Sequence, residues 1–216
     1  MIDTIIFDMD GTLIDTEKYY RIFWPKALEF FGYSMSDEQA LTMRSLGRPF
    51  AGQHLKEMFG EEIDYNLVKA KRKELMEKCL DENGIELKQG VIELLTWLKA
   101  HSIRTAIATA TDLERTTKYL NKLGIIKYFD KIISATMVKE GKPSPDVYLY
   151  ACEQMERKPQ ECFAVEDSPN GVLSAYHAGC KVIMVPDQTK PDSELDNKLY
   201  ACVENISDVI GLLEGR

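Results

Sequence analysis

The sequence predicts an α/β fold, a Rossmann-like parallel sheet core with helices on both faces, plus an all-helical cap inserted after the first strand. Three observations carry that expectation. Short apolar, β-branched runs recur along the chain, amphipathic stretches of helical period lie between them, and one region from about Glu17 to Leu87 has helical period and no clear strand. Strands alternating with amphipathic helices pack as a parallel sheet covered on both faces. Strands buried on both faces read as continuous apolar runs, and these do.

The first strand is Thr4-Ile5-Ile6-Phe7, which stops at Asp8-Met9-Asp10-Gly11. The insert follows, with Ile22, Phe23, Leu28, Phe30 and Phe31, then a polar and glycine-containing middle, then a charged helix from Tyr65 to about Asn83. The core resumes with a helix over Gly90 to His101 and a strand, Thr105 to Ala108, that ends at Thr109. A helix from Leu113 to Leu123 comes next, then the strand Lys131 to Ser134 and a helix from Pro145 to Met155. The strand Cys162 to Val165 ends at Glu166-Asp167, the helix Gly171 to Ala178 follows, and Lys181 to Val185 is a strand stopped by Pro186. Gly124 and Gly179 suit the C-cap positions of the helices before them. The polar segment Asp187 to Asn197, with Pro191, is expected to be an exposed loop. The expected division is a core of residues 1–15 and 88–216 and a cap of residues 16–87.

The chain has 216 residues and a formal net charge of -8. That charge argues against a general nucleic-acid binder, which needs clustered Lys and Arg to neutralise phosphates. No apolar run approaches the roughly 20 residues of a membrane span. The start lacks a basic n-region, so no signal peptide is expected and a cytoplasmic monomer is. The five cysteines are widely spaced with no C-x-x-C, and the three histidines form no H-x-x-x-H pair. Free thiols in a reducing compartment fit better than a disulfide framework or zinc site. Any metal chemistry would use carboxylates.

In open α/β sheets, ligands bind beyond the carboxyl ends of the strands, and oxygen-rich side chains collect at three such ends here. Asp8-x-Asp10 crowds two carboxylates, whose repulsion a hard divalent cation such as Mg²⁺ relieves while keeping waters for a phosphate. The same pattern occurs in calcium loops and solvated turns, where Gly11 would simply allow the turn. Glu166-Asp167 adds a second acidic pair. Asp167 or Ser168 is also placed to cap a helix with Pro169 in its first turn. Thr109, with the backbone N–H groups after it, makes an oxyanion cradle, although Thr111 or Asp112 would serve equally as a plain helix cap. Lys142, in Glu140-Gly141-Lys142-Pro143, would offset like-charge repulsion among these acids and bind a substrate oxygen.

These four signals, in this order, resemble the motifs of the haloacid dehalogenase superfamily of phosphatases and phosphomutases. The first motif looks like Phe7-Asp8-Met9-Asp10-Gly11-Thr12-Leu13, the second like Thr109, the third like Lys142 in a run through Asp146, and the fourth like Glu166-Asp167 in Val165 to Gly171. The resemblance covers essentially the whole chain. It implies that Asp8 attacks phosphorus to form an aspartyl-phosphate, and that Asp10 protonates the leaving oxygen and then activates water or a second hydroxyl. It implies Mg²⁺ held by the Asp8 side chain, the Asp10 carbonyl and Asp167, with Glu166 nearby, and phosphoryl oxygens held by Thr109, Ala110 and Lys142. The second aspartate, Asp10, favours phosphoryl transfer over dehalogenation. Phosphoryl transfer needs positioning and charge neutralisation more than elaborate covalent chemistry, and a carboxylate nucleophile divides one hard displacement into two.

The insert resembles the cap of the β-phosphoglucomutase-like subfamily and should close over the core to exclude water. By that resemblance Thr16 and Trp24 match, Arg48 falls where an Arg binds a non-transferring phosphate, and Lys73 is the counterpart of a cap Lys. Arg44 to Pro49 otherwise reads as a solvated glycine-flexible turn with two cations, and Lys73 as part of a charged helix face. Tyr20 stands where the mutase pattern has a His. The expectation is therefore a Mg²⁺-dependent phosphatase of small phosphorylated metabolites, sugar phosphates among them. A β-phosphoglucomutase-type phosphomutase is the alternative, and a non-catalytic phosphometabolite sensor is the alternative from another class.

Overall fold

The computed structural model describes residues 3–215. Its core is a six-stranded sheet in the order β3-β2-β1-β4-β5-β6, from Thr4–Phe7 (β1), Arg104–Thr109 (β2), Lys131–Ser134 (β3), Cys162–Glu166 (β4), Lys181–Met184 (β5) and Ala201–Cys202 (β6). All pairings are parallel. The first five strands fall where the apolar runs place them. The two-residue β6 was not expected, since a strand that short has no periodicity to read.

Ile5, Ile6 and Phe7 of β1 are fully buried because the sheet is covered twice. Ile5 and Phe7 join Leu94, Leu98, Leu120 and Phe163 on one face. Ile6 joins Val147, Tyr148, Ala164 and Val172 on the other. Each such side chain contributes about 1.5–3 kcal/mol by leaving water. The covering helices are α5 (Val91–Ala100), α6 (Leu113–Lys122), α7 (Asp146–Gln154), α8 (Pro169–Ala178) and α10 (Val209–Glu214). Gly179 ends α8 in the left-handed region at φ +91°, as its C-cap placement requires. The segment 187–197 is not all loop: Ser193–Asp196 forms a short helix, α9, capped by Asp192 and anchored by buried Leu195.

Between β1 and α5 lie four helices, α1 (Glu17–Phe30), α2 (Asp37–Thr42), α3 (Phe50–Phe59) and α4 (Tyr65–Asn83). They gather around a separate apolar cluster that includes Trp24, Leu28, Met43, Leu55 and Val68. Ser36 starts α2 with a reciprocal capping box to Gln39, and Asp64 caps α4. None of the described helices is long and apolar enough to cross a membrane.

Register positions the site. Phe7 stands opposite Ile107 on one side and Val165 on the other, so three central strands end level. The Asp8 N–H continues the ladder to the Val165 carbonyl at 2.9 Å.

Candidate active site

The level strand ends bring Asp8, Glu166 and Asp167 together, with carboxylate oxygens within 4.8 Å of one another and all three side chains buried. Lys142, fully buried, reaches in from the loop after β3. Its ammonium donates to Asp8 Oδ1 at 2.5 Å and to Glu166 Oε1 at 2.6 Å. The Tyr148 hydroxyl on α7 donates to the same Glu166 oxygen at 2.7 Å. Burial would push the Lys142 amine down, but the two carboxylates beside it hold it above its ordinary range. Burial pushes the Asp8 carboxyl well up, partly opposed by Lys142. Asp8 Oδ2 is buried and has no hydrogen-bond partner.

Asp10 is held differently. Thr16, just before α1, donates to Oδ1 at 2.6 Å, and Thr111 donates to Oδ2 at 2.7 Å. The Tyr20 hydroxyl lies 3.2 Å from Thr111 Oγ1, so a chain of hydroxyls runs from the helical insert to Asp10. Asp112, rather than Thr111, caps α6, accepting from the Arg115 N–H. Ser168, rather than Asp167, caps α8. Each helix cap is thus supplied by a neighbour, which leaves Thr111 and Asp167 to the site. Gly11 turns the chain at φ +88°, and a Cβ there would overlap the side chains of Asp167 and Glu17.

The helical insert closes one wall. Arg44 is buried and its guanidinium pairs with Asp167 Oδ2, donates to Glu17 Oε2 at 3.2 Å and to Thr189 Oγ1 at 2.9 Å. Burial lifts the Glu17 carboxyl to about 8, with Arg44 opposing. Two backbone bonds also join the halves: Gly47 N–H to the Lys142 carbonyl and Gly141 N–H to the Arg48 carbonyl, both 2.8 Å. The backbones approach so closely at Gly47 and Gly141 that a Cβ on either would strike the other.

Between the halves is a cleft of about 160 Å³ lined by Asp8, Asp10, Thr109 and Ala110 from the core and by Tyr20, Trp24, Arg48 and Lys73 from the insert. Thr16 is fully buried behind Asp10, and Glu166, Asp167 and Lys142 are fully buried beside Asp8 rather than lining the cleft. Arg48 is exposed, its guanidinium 3.3 Å from the carbonyls of Thr136 and Val138. Lys73 lies 3.5 Å from Asp112. The site also contains Arg72 and Arg115, which the sequence does not mark as binding residues, Thr111, which it offers as a helix cap, and Glu17 and Arg44, which it offers only within the segments after the first motif and at the Arg44 to Pro49 turn. In sequence each is one polar residue on a helix or turn, and only the closure of insert on core brings them inward.

The carboxylates fit a hard divalent cation. Three acidic side chains converge and Asp8 Oδ2 is unclaimed, while Lys142 sits on the other Asp8 oxygen and on Glu166 Oε1, and Arg44 on Asp167 Oδ2.

Fold and site define an α/β enzyme that acts on phosphate esters. The chain belongs to the haloacid dehalogenase-like hydrolase family, whose profile matches residues 5–185. It is 29% identical over 216 residues to the phosphorylated carbohydrates phosphatase of Thermotoga maritima, covering 98% of this chain and 90% of that one. It is 27% identical over 183 residues to the β-phosphoglucomutase of Bacillus subtilis, covering 81% and 79%. The crystal structure of CbbY from Rhodobacter sphaeroides in complex with phosphate superposes with a TM-score of 0.78 at 26% identity, over 97% of this chain and 96% of that one.

Proposed function

We propose that the protein is a Mg²⁺-dependent phosphatase of small phosphorylated metabolites, sugar phosphates in particular, with a core of residues 1–15 and 88–216 and a cap of residues 16–87. The observation that carries this reading is Asp8. One of its oxygens is fixed by Lys142 and the other is buried without a partner beside Glu166 and Asp167. The names of the relatives support the substrate class.

In this reading Asp8, the Asp10 carbonyl and Asp167, with Glu166 alongside, would hold Mg²⁺, which when bound would supply positive charge against the phosphate. Asp8 attacks phosphorus. Asp10, oriented by Thr16 and Thr111, gives its proton to the leaving oxygen and then takes one from the attacking water. Its two oxygens each accept one hydroxyl and retain a lone pair for that transfer. Thr109, Ala110 and Lys142 face the transferring oxygens. The cap excludes bulk water and presents Tyr20, Trp24, Arg48 and Lys73 to the rest of the substrate, while Thr16 acts through Asp10.

Hydrolysis is favoured over phosphomutase chemistry because Tyr20 is engaged with Thr111 and stands where the mutase pattern carries a His. The test is a panel of phosphorylated metabolites incubated with the protein, with and without Mg²⁺. Phosphate release that requires Mg²⁺ is expected. Interconversion of β-glucose 1-phosphate and glucose 6-phosphate without net release would replace this reading with the mutase. Metal binding with neither activity would leave a sensor.

A further inference from the structure

Asp167 is claimed from two sides. The proposed Mg²⁺ site needs its carboxylate, yet Oδ2 already carries the guanidinium of Arg44. Its other oxygen accepts from the Thr12 hydroxyl at the long distance of 3.4 Å. Asp8 and Glu166 are paired with Lys142, a residue of the core itself. Arg44, by contrast, is a cation that the helical insert brings to the core.

Arg44 is seated as a plug and not as a surface charge. It is 4% exposed, and all three guanidinium nitrogens are engaged: Nε donates to Glu17 at 3.2 Å, one terminal nitrogen to Thr189 at 2.9 Å, and the other to Asp167. Its carbonyl accepts from the Asn170 side chain at 2.9 Å. The next residue, Ser45, is in the left-handed region at φ +53°, which a residue with a Cβ adopts only when its surroundings impose it. The planar fork therefore cannot lean away from Asp167 and keep its other two bonds. Behind Arg44 lies a second cleft, of about 520 Å³, with Gln53 and Glu57 in its wall, and Arg44 lines both clefts. A displaced guanidinium has a polar place to go, so its release strands no buried charge.

A divalent cation on Asp8 and Asp167 would stand beside this guanidinium in a buried setting, where like charges repel strongly. We propose that Arg44 and Mg²⁺ compete for Asp167, so that the insert carries an internal cation that weakens metal binding, and metal loading in turn loosens the insert from the core. The two effects are equal by linkage: what Arg44 subtracts from metal affinity, the metal subtracts from the Arg44–Asp167 contact. The inference deepens the proposed function; it rests on the Mg²⁺ site of that reading and not on turnover.

The test is a calorimetric titration with Mg²⁺ alone of wild type, Arg44→Met and Arg44→Lys. Arg44→Met is expected to bind Mg²⁺ about tenfold or more tightly than wild type, and Arg44→Lys, which restores the charge, to stay within about threefold of wild type. An arginine that merely supports the structure would give the opposite sign, because a loosened site holds metal less well. If Arg44→Met does not fold, Arg44→Gln should show the same tightening. Hydrogen exchange reads the reciprocal effect. The Gly47 amide, bonded across the seam to the Lys142 carbonyl at 2.8 Å, should exchange several-fold faster in wild type when Mg²⁺ is added, with no such response in Arg44→Met. Equal or weaker Mg²⁺ binding by the neutral variants, a tightening in Arg44→Lys as large as in Arg44→Met, or unchanged or slower Gly47 exchange in wild type would overturn the proposal. Phosphate release is scored separately: a protein with these metal effects and no phosphatase activity would keep the competition and lose the hydrolase, whereas wild type and variants that all fail to bind Mg²⁺ would remove both.

Discussion

Replacing Lys142 with Met tests the electrostatic frame of the site. The ammonium is fully buried and bonded to Asp8 at 2.5 Å and Glu166 at 2.6 Å, so its removal strands two buried carboxylates. Breaking a buried pair from one side costs about 3–5 kcal/mol, a large share of the roughly 5–15 kcal/mol that holds a protein folded. The carboxylates can relieve part of this by taking up a proton. Asp8 is already pushed up by burial, and without the opposing Lys142 charge it rises further. A carboxyl whose folded-state pKa lies above its unfolded value favours the fold below the unfolded value of about 4 and loses that advantage as pH rises toward the folded one. The destabilisation by Lys142→Met should therefore grow as pH rises above the wild-type Asp8 value toward the variant's higher one, by at most about 1.4 kcal/mol per pH unit per group. Urea unfolding of wild type and variant in chelator, over a series from mildly acidic to mildly basic pH, measures it. A loss below about 1 kcal/mol throughout that series would show that Lys142 is not the counter-charge described, because the cost of a stranded buried charge must appear as stability.

Two further outcomes follow from the packing. Leu55, fully buried in the cluster of the helical insert, should cost about 2–5 kcal/mol on Leu55→Ala, read by chemical unfolding. Asp3, paired with Arg157 at 2.8 Å on a half-exposed surface, has its carboxyl held down at about 2 by that guanidinium. This depressed group favours the fold above about pH 4 and loses its contribution as pH falls toward 2. Asp3→Asn should accordingly destabilise by less than about 1 kcal/mol at pH 7, and the difference should shrink below pH 4 in acid-unfolding curves.

Much of the core was legible in the sequence because its signals are local. Thr4 to Phe7 is apolar throughout and is stopped by Asp8, and Gly179 closes its helix in the left-handed region that glycine favours. The strand ends carry the polar residues, and the parallel register sets those ends level, so Asp8, Thr109 and Glu166 met as their positions implied. Less of the other wall could be read. Arg44 and Arg72 look like any solvated cation along a helix or turn. What makes them different is the burial of Arg44 against Asp167 and the sandwiching of Arg72 on Tyr20 and Trp24, both products of tertiary contact. Arg48, the cation that motif position favoured, is exposed and engaged with two carbonyls. Thr111 shows the same limit in the core: as a cap residue it was one choice of two, and only the structure gave the cap to Asp112 and Thr111 to Asp10.

The central claim is that Asp8 becomes phosphorylated during turnover. Wild-type protein mixed with Mg²⁺ and the best substrate of the panel, quenched in acid and digested, should yield the peptide containing Asp8 heavier by one phosphoryl group. The adduct should be absent without Mg²⁺ and absent from Asp8→Asn, which should also release no phosphate. Steady phosphate release by Asp8→Asn, or a phosphoryl group trapped on another residue, would contradict the account.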